Sequence, residues 1–384
     1  MIDFSFTEEQ ELLRRTLEKF AREELAPGRA DRDRKEAFPV EQVKKMAGLG
    51  LLGLNISNEY GGNESDFVTI GVAVEEIARG DFNCVLPIMM ALYAGHAVGR
   101  YGSDELKREW LPRIASGEKL LGVGATEPQA GSDLAHLRTK ALREGDDYVL
   151  TGEKNSVSMS NADVFAVLAR TNPEDAPARG ISVFLVPRDL PGVSVSDYRD
   201  FGCRSIPRGQ VFMDDARIPA RYRVGAEGEG FRIFMGFLDF NRILIGLKCL
   251  AAAQESLKET MEHVKNREAF GRPLARFEGI SFPIAEAATL IEAARWLAYR
   301  AAWLCDRGLP HTKEASMCKF WIPKICSDII HRCLLFHGHY GYTDELPLEQ
   351  RLRDVIGWQI GDGSEEIQKI IIARELMGRE SLPY

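Results

Sequence analysis

The sequence contains no C-x-x-C pair, no internal repeat and no low-complexity segment. Its seven cysteines (Cys84, Cys203, Cys249, Cys305, Cys318, Cys326 and Cys333) are scattered. That spacing is neither a disulfide framework nor a zinc ribbon, and it fits a reducing, cytoplasmic setting. His331, His337 and His339 lie near Cys326 and Cys333, but at no zinc-ligand spacing, so no metal is expected. An excess of basic residues is also lacking. Lys and Arg number 49 against 57 Asp and Glu, a formal net charge of −8, which argues against nucleic acid or an anionic membrane as partner. Met1-Ile2-Asp3-Phe4 does not read as a signal peptide. The longest apolar run, Val85 to Val98, carries Pro87 and His96 and reads as too short to span a bilayer.

What is present is an ordinary soluble composition, 45% hydrophobic and 28% charged, in a chain of 384 residues. That length holds two or three domains and a large core. Thr7-Glu8-Glu9-Gln10 has the form of a capping box, and Leu13, Leu17 and Phe20 follow at helical spacing to about Leu25, where Pro27 and Gly28 intervene. Helical patterns over 39–46, 67–79, 86–101 and 103–114 make residues 1–120 an all-α domain. The texture then changes. Short β-rich runs at Tyr148–Leu150, Val164–Leu168, Ile181–Val186, Val193–Tyr198 and Val211–Met213, punctuated by Gly, Pro and Asp-Asp, predict an antiparallel β domain over 121–227. Helical patterns return at 231–267, 282–307, 312–336 and 365–377, predicting a four-helix bundle over 228–384. The fold class is therefore α+β: helical domain, β domain, bundle. Exposed bundle faces predict a homo-oligomer.

Three stretches carry candidate chemistry. Near the C-terminus, Gly361 and Gly363 bracket Asp362, and a helix follows. Two such glycines permit a tight turn, and Ser364 is placed to cap the helix, at an end that favours phosphate. The β domain opens on Thr126-Glu127-Pro128-Gln129-Ala130-Gly131-Ser132-Asp133, a glycine-containing loop with hydroxyls at Thr126 and Ser132 that can press against a flat ring. Arg267-Glu268-Ala269-Phe270-Gly271 ends the first bundle helix, where Arg267 is suited to a phosphate. Within that helix Asp239 and Arg242 stand three apart on one face.

In this order and over nearly all 384 residues, these motifs resemble those of the flavin-dependent acyl-CoA dehydrogenase family: its TEPxAGSD loop at Thr126–Asp133, its RxxFG turn at Arg267–Gly271 and its YEGTxxxQ-type turn at Gly361–Gln368. The resemblance implies FAD as cofactor and an acyl-CoA substrate. It implies an electron-transfer flavoprotein as acceptor, and a homotetramer or homodimer. It makes Asp362 the base that removes the α-proton, while the β-hydrogen leaves as hydride. By the same resemblance Thr126, Ser132 and Ser158 contact the flavin, and Ser132 also reaches the CoA ester. Arg267 and Phe270 hold the diphosphate and adenine, usually those of a neighbouring subunit, and Ser364 lies at the diphosphate. Asp239, Arg242 and Gly361 adjoin the substrate. Val123, Gly131, Ser156, Phe277, Leu335, His339 and Glu366 complete the expected cofactor positions.

The departures from the family pattern point to the substrate. Asp362 stands for the usual Glu, Gly361 for Tyr, Ser156 for Trp and Leu335 for Gln. A carboxylate one methylene shorter, beside a wall that has lost an aromatic ring, widens the pocket around the α-carbon. With the Gln-Ile-Gly-Asp-Gly-Ser segment, this resembles the cyclohexane-1-carbonyl-CoA dehydrogenase subgroup, which implies conversion of that ester to cyclohex-1-ene-1-carbonyl-CoA. The competing expectations are a short- or branched-chain acyl-CoA dehydrogenase, an oxygen-using oxidase, or a non-catalytic flavin-binding member.

Overall fold

The computed structural model describes residues 5–381. The N-terminal domain holds α1 (Glu8–Phe20), α2 (Arg29–Lys35), α3 (Val40–Gly48), α4 (Phe67–Gly80), α5 (Val85–Tyr101) and α6 (Asp104–Ala115). The capping box forms as read: Gln10 N–H donates to Thr7 Oγ1 at 3.2 Å, and Thr7 N–H donates to Gln10 Oε1 at 3.1 Å. Helix α1 runs on into a π-helical turn over Ala21–Leu25, closed by Ala26 N–H on the Ala21 carbonyl at 2.9 Å, before Pro27 and Gly28 stop it. The stretch Phe82–Tyr101, which contains α5, is long and apolar enough by composition to cross a membrane, which corrects the reading of its apolar run as too short. Most of it is buried within the fold, against α6 and α7, so its apolar surface serves core packing.

The middle domain is one sheet of β1 (Leu121–Gly124), β2 (Lys140–Glu144), β3 (Asp147–Ser158), β4 (Val164–Arg170), β5 (Ile181–Pro187), β6 (Val193–Tyr198), β7 (Arg208–Pro219) and β8 (Arg223–Val224). Its order is β6-β7-β3-β2-β4-β5-β8, with β1 added on β4. Every pairing is antiparallel except β1–β4 and the single contact of β2 with β4, which are parallel. The expectation of a wholly antiparallel sheet is corrected there. Hairpin spacing reports only neighbours in sequence, whereas β1 meets β4 across the whole of the chain from 125 to 163, with Leu121 opposite Val164. Strands β4 and β5 are buried on both faces except at their last residues, as continuous apolar runs require.

The C-terminal domain comprises α7 (Gly230–Asn266), a two-stranded arm of β9 (Glu268–Ala269) and β10 (Arg272–Pro273), then α8 (Glu278–Asp306), α9 (Thr312–Phe336), α10 (Leu348–Ile356) and α11 (Glu365–Met377). Helix α7 packs on α8 and α9, and α9 on α11, which makes the four-helix bundle. Helix α4 packs on α7 and α8 and ties the N-terminal domain to the bundle.

One buried ion pair fixes the loop after β1 to β3. Lys154 and Glu127 are 0% and 3% exposed, and Lys154 Nζ donates to Glu127 Oε1 at 2.7 Å. Glu127 also accepts from the backbone N–H groups of Arg138 and Thr139 at 2.6 and 2.9 Å. The Lys154 ammonium and these donors outweigh burial and hold the Glu127 carboxyl at about 2. Burial lowers Lys154 to about 8, with Glu127 opposing it. An unfolded glutamate titrates near ~4.3, so acid protonates the unfolded chain first. The stabilisation from Glu127 is whole above that value and is lost as the pH falls towards the folded one. Glu127→Gln strands a buried ammonium, and breaking such a pair costs about 3–5 kcal/mol. Urea unfolding near neutral pH is expected to show that loss, and a variant within about 1 kcal/mol of the parent would contradict it.

Candidate active site

Asp362 sits on the turn between α10 and α11 with its backbone in the left-handed region, φ 57, followed by Gly363 at φ 94. A non-glycine residue is held there only by its surroundings, and here three side chains do so. Asn241 Nδ2, on α7, donates to Asp362 Oδ2 at 2.8 Å. Lys319 Nζ, on α9, donates to the Gly363 carbonyl at 3.1 Å, and Gln368 Nε2, on α11, donates to the same oxygen at 3.2 Å. Lys319 is 0% exposed. Burial lowers its ammonium to about 8, and the charge of Asp362 is the main opposing influence. Only one of the two bracketing glycines is needed for the turn. Gly361 has no positive φ, and a Cβ built on it meets only Gly357 O at 3.8 Å and Trp358 Cε3 at 4.0 Å. Ser364 occupies the N-cap of α11, but its hydroxyl makes no cap hydrogen bond, a correction to the expected cap.

Asp362 opens onto a cavity of about 370 Å3. Helix α5 lines it with Leu86, Met89, Met90 and Tyr93, the i, i+3, i+4, i+7 face. Helix α7 presents the same spacing with Phe234, Phe237, Leu238 and Asn241. Trp358 closes another wall, and behind it the buried Lys248 sets Nζ 3.1 Å from the indole centre and 4.7 Å from the Phe82 ring. Burial lowers Lys248 to about 8.

The β domain supplies the opposite wall with Val123, Thr126, Ser156 and Ser158. Between Lys154 and Val157 the pairing of β3 with β7 slips, so Asn155 and Ser156 face a single residue of the partner strand. Ser156 lies at φ 57. Such bulges re-aim the chain beside sites. Both bulge N–H groups are engaged, Asn155 with the Thr126 carbonyl at 2.8 Å and Ser156 with Asn155 Oδ1 at 2.9 Å, which leaves the Thr126 and Ser158 hydroxyls to offer a flat heterocycle donors and acceptors.

The other expected residues lie elsewhere. Gly131 and Ser132 are exposed on the loop after β1 and do not line the cavity. Arg267, Phe270 and Phe277 belong to the arm after α7, with Phe270 96% exposed at its tip, 6.3 Å ring to ring from Phe277. Leu335 and His339 are exposed at the end of α9 and just beyond. Ser364 and Glu366 lie at the start of α11 and do not line the cavity. Arg242 and Asp239 form a pair at 2.8 Å, with Arg242 only 4% exposed and Thr312 Oγ1 donating to Asp239 Oδ2 at 2.6 Å. The pair is thus largely buried. Burial lowers the Arg242 pKa, while Asp239 and Asp362 oppose the shift.

Sequence reasoning passed over Asn241, Lys319, Tyr93 and Trp358. Asn241 had a signal, since it falls seven residues after Phe234 on the apolar face of α7. Lys319 had another, between Cys318 and Phe320 in an apolar stretch of α9. Among the described residues no group of three or more His, Cys, Asp or Glu is placed to hold a metal ion.

The candidate site is thus a carboxylate on a hinge, facing a pocket between two helices and the β domain. The chain matches the N-terminal, middle and C-terminal domains of acyl-CoA dehydrogenase over residues 7–118, 122–216 and 228–377. It is 35% identical over 379 residues, 98% of this chain and 100% of the relative, to the short-chain-specific acyl-CoA dehydrogenase of Clostridium acetobutylicum. The structure superposes on butyryl-CoA dehydrogenase from Megasphaera elsdenii with TM-score 0.94 and 30% identity, covering 98% and 100% of the two chains. It superposes on PigA with FAD and proline with TM-score 0.95 and 28% identity, covering 98% and 100%. The chain belongs to the acyl-CoA dehydrogenase family. It is an oxidoreductase with FAD as cofactor, which the open sheet-side wall suits.

The two glycines of the turn should respond differently to substitution. Gly361→Ala is expected to stay within about 0.5 kcal/mol of the parent in denaturant unfolding. Gly363→Ala, forced to a positive φ and with its Cβ 2.5 Å from Gln368 Nε2, is expected to cost about 1 kcal/mol or more. Equal costs would contradict this assignment of the hinge.

Proposed function

We propose that the enzyme carries out α,β-dehydrogenation of a CoA thioester, with Asp362 as the α-proton base. The observation that carries this reading is the hydrogen bond from Asn241 to Asp362 Oδ2, at the mouth of a cavity facing the sheet wall. One carboxylate oxygen is anchored, and among the described residues the other has no hydrogen-bond partner, so it is free to receive a proton. Carboxylate reach and a low-water pocket lined by apolar helix faces are what removal of a weakly acidic proton demands. FAD, when bound, would supply a hydride acceptor for the β-hydrogen. Val123, Thr126, Ser156 and Ser158, which line the cavity, would hold its flavin. Arg267 and Phe270 would serve the diphosphate and adenine of a neighbouring subunit's cofactor, Ser364 would lie at the diphosphate, and Phe277, Leu335, His339 and Glu366 would complete the cofactor positions. The exposure of Phe270 and Leu335 supports a homodimer or homotetramer. Gly131, Ser132, Asp239 and Arg242 lie towards the CoA ester, and the acceptor is an electron-transfer flavoprotein.

For the acyl group, the short arm of Asp362 and the open space at Gly361 support a bulky α-carbon substituent, with cyclohexane-1-carbonyl-CoA going to cyclohex-1-ene-1-carbonyl-CoA. Similarity to a short-chain-specific enzyme supports a second reading, a short straight or branched acyl chain. Turnover of purified holoenzyme with ferricenium and a panel of CoA esters decides between them. The first reading expects the cyclohexane ester to exceed butyryl-CoA in kcat/KM, and the reverse order sinks it. Asp362→Asn is expected to retain FAD and ester binding, and to lose flavin bleaching and about 10²–10⁴-fold in turnover. Bleaching at the parent rate would move the base to another carboxylate.

A further inference from the structure

Lys154, Lys248 and Lys319 are all fully buried. Two of them have oxygen partners, Lys154 in Glu127 and Lys319 in the Gly363 carbonyl. Lys248 differs. Among the described residues it makes no ion pair and no hydrogen bond, and its Nζ faces two aromatic rings instead, 3.1 Å from the Trp358 indole centre and 4.7 Å from the Phe82 ring. Taking an ammonium out of water is costly. Methionine, of similar length, would fill the same space without that cost. What the ammonium adds is attraction to the face of an indole, which is strongest where both are desolvated.

That attraction bears on the site through Trp358. The indole is 7% exposed and lines the cavity, whereas Lys248 and Phe82 do not. Its Cε3 edge borders the opening left by Gly361. A Cβ built there lies 4.0 Å from Cε3, and apart from the neighbours in the chain the one other atom within that range is Gly357 O at 3.8 Å. A large flat ring beside unfilled space is drawn to turn into it, because a void forfeits dispersion contacts on one side. Any such turn takes the ring face off Nζ and gives up the cation–π contact.

From this arrangement we infer that Lys248 is a positioning residue for substrate choice: its ammonium holds the Trp358 indole back from the opening at Gly361, and so keeps the cavity wide enough for an acyl group branched at its α-carbon. The inference deepens the dehydrogenase reading given above and rests on it. Lys248 acts from behind the wall and touches no substrate.

The test compares FAD-loaded parent and Lys248→Met near neutral pH, with ferricenium as acceptor and cyclohexane-1-carbonyl-CoA and butyryl-CoA as substrates. The ratio of kcat/KM, ring ester over butyryl ester, is expected to fall about 10-fold in the variant, the scale on which a small change of pocket width discriminates. The loss should lie mainly in the KM of the ring ester. In crystals of the variant the indole is expected to have turned towards Gly361. Lys248→Leu, also neutral, carries the same expectations should Lys248→Met fail to retain FAD. A lysine that only supports the fold would weaken both esters together and leave the ratio alone. The inference is overturned if the ratio stays within about twofold of the parent, or if the indole keeps its parent position; either result leaves the dehydrogenase reading intact. A parent that prefers butyryl-CoA would sink the alicyclic reading, and the shift of the ratio would still judge Lys248. If neither ester bleaches the flavin, the dehydrogenase reading falls and the inference falls with it.

Discussion

A single buried ammonium underlies the geometry of this enzyme. Lys319 reaches from α9 to the carbonyl of Gly363, and its bond keeps the chain in a backbone conformation that a residue such as Asp362 rarely adopts. Gln368 repeats the grip from α11, and Asn241 fixes the carboxylate itself from α7. Three helices of the bundle thus meet at one turn. A carboxylate on a free loop would sample many directions; this one is aimed before any ligand arrives, and such pre-orientation is where much of the rate of proton-transfer enzymes originates. The same ammonium lies in the field of the acid it supports, which opposes the effect of burial on Lys319.

The facing wall has its own anchor. Lys154 and Glu127 bind the loop after β1 to strand β3, and within two residues of Lys154 the strand bulges at Asn155 and Ser156. The ion pair therefore fixes both hydroxyl-bearing pieces of that wall, the loop with Thr126 and the strand end with Ser156 and Ser158. The acid on the bundle side and the hydroxyl-bearing wall on the sheet side are built on separate rigid supports. Helices α5 and α7, packed against each other, set the space between them.

Much of this was legible from residue patterns. The long periodic stretches gave α1, α4, α5, α7, α8 and α9, and the motif order gave Asp362, Thr126, Ser156 and Ser158, which the structure gathers around one cavity. Less was legible where the cause is distant in sequence. The parallel pairing of β1 with β4 follows from packing, which leaves no local mark. Helix α10 was not among the helical patterns read, because its nine residues are too few for periodicity to declare itself. Lysine reads as a surface residue, so Lys319 and Lys248 were not suspected of being interior. Asp239 and Arg242 gave the opposite case: their spacing was seen, but burial, which a three-residue interval does not encode, was not.

The ordinary backbone of Gly361 has a further consequence. Since the hinge depends on Gly363 and on the three donors, the position before the acid is a free variable: its side chain can grow or shrink without disturbing where the carboxylate points. Pocket width and acid placement are thus independently adjustable, so a single codon can redraw the range of acyl shapes accepted while the reaction stays the same.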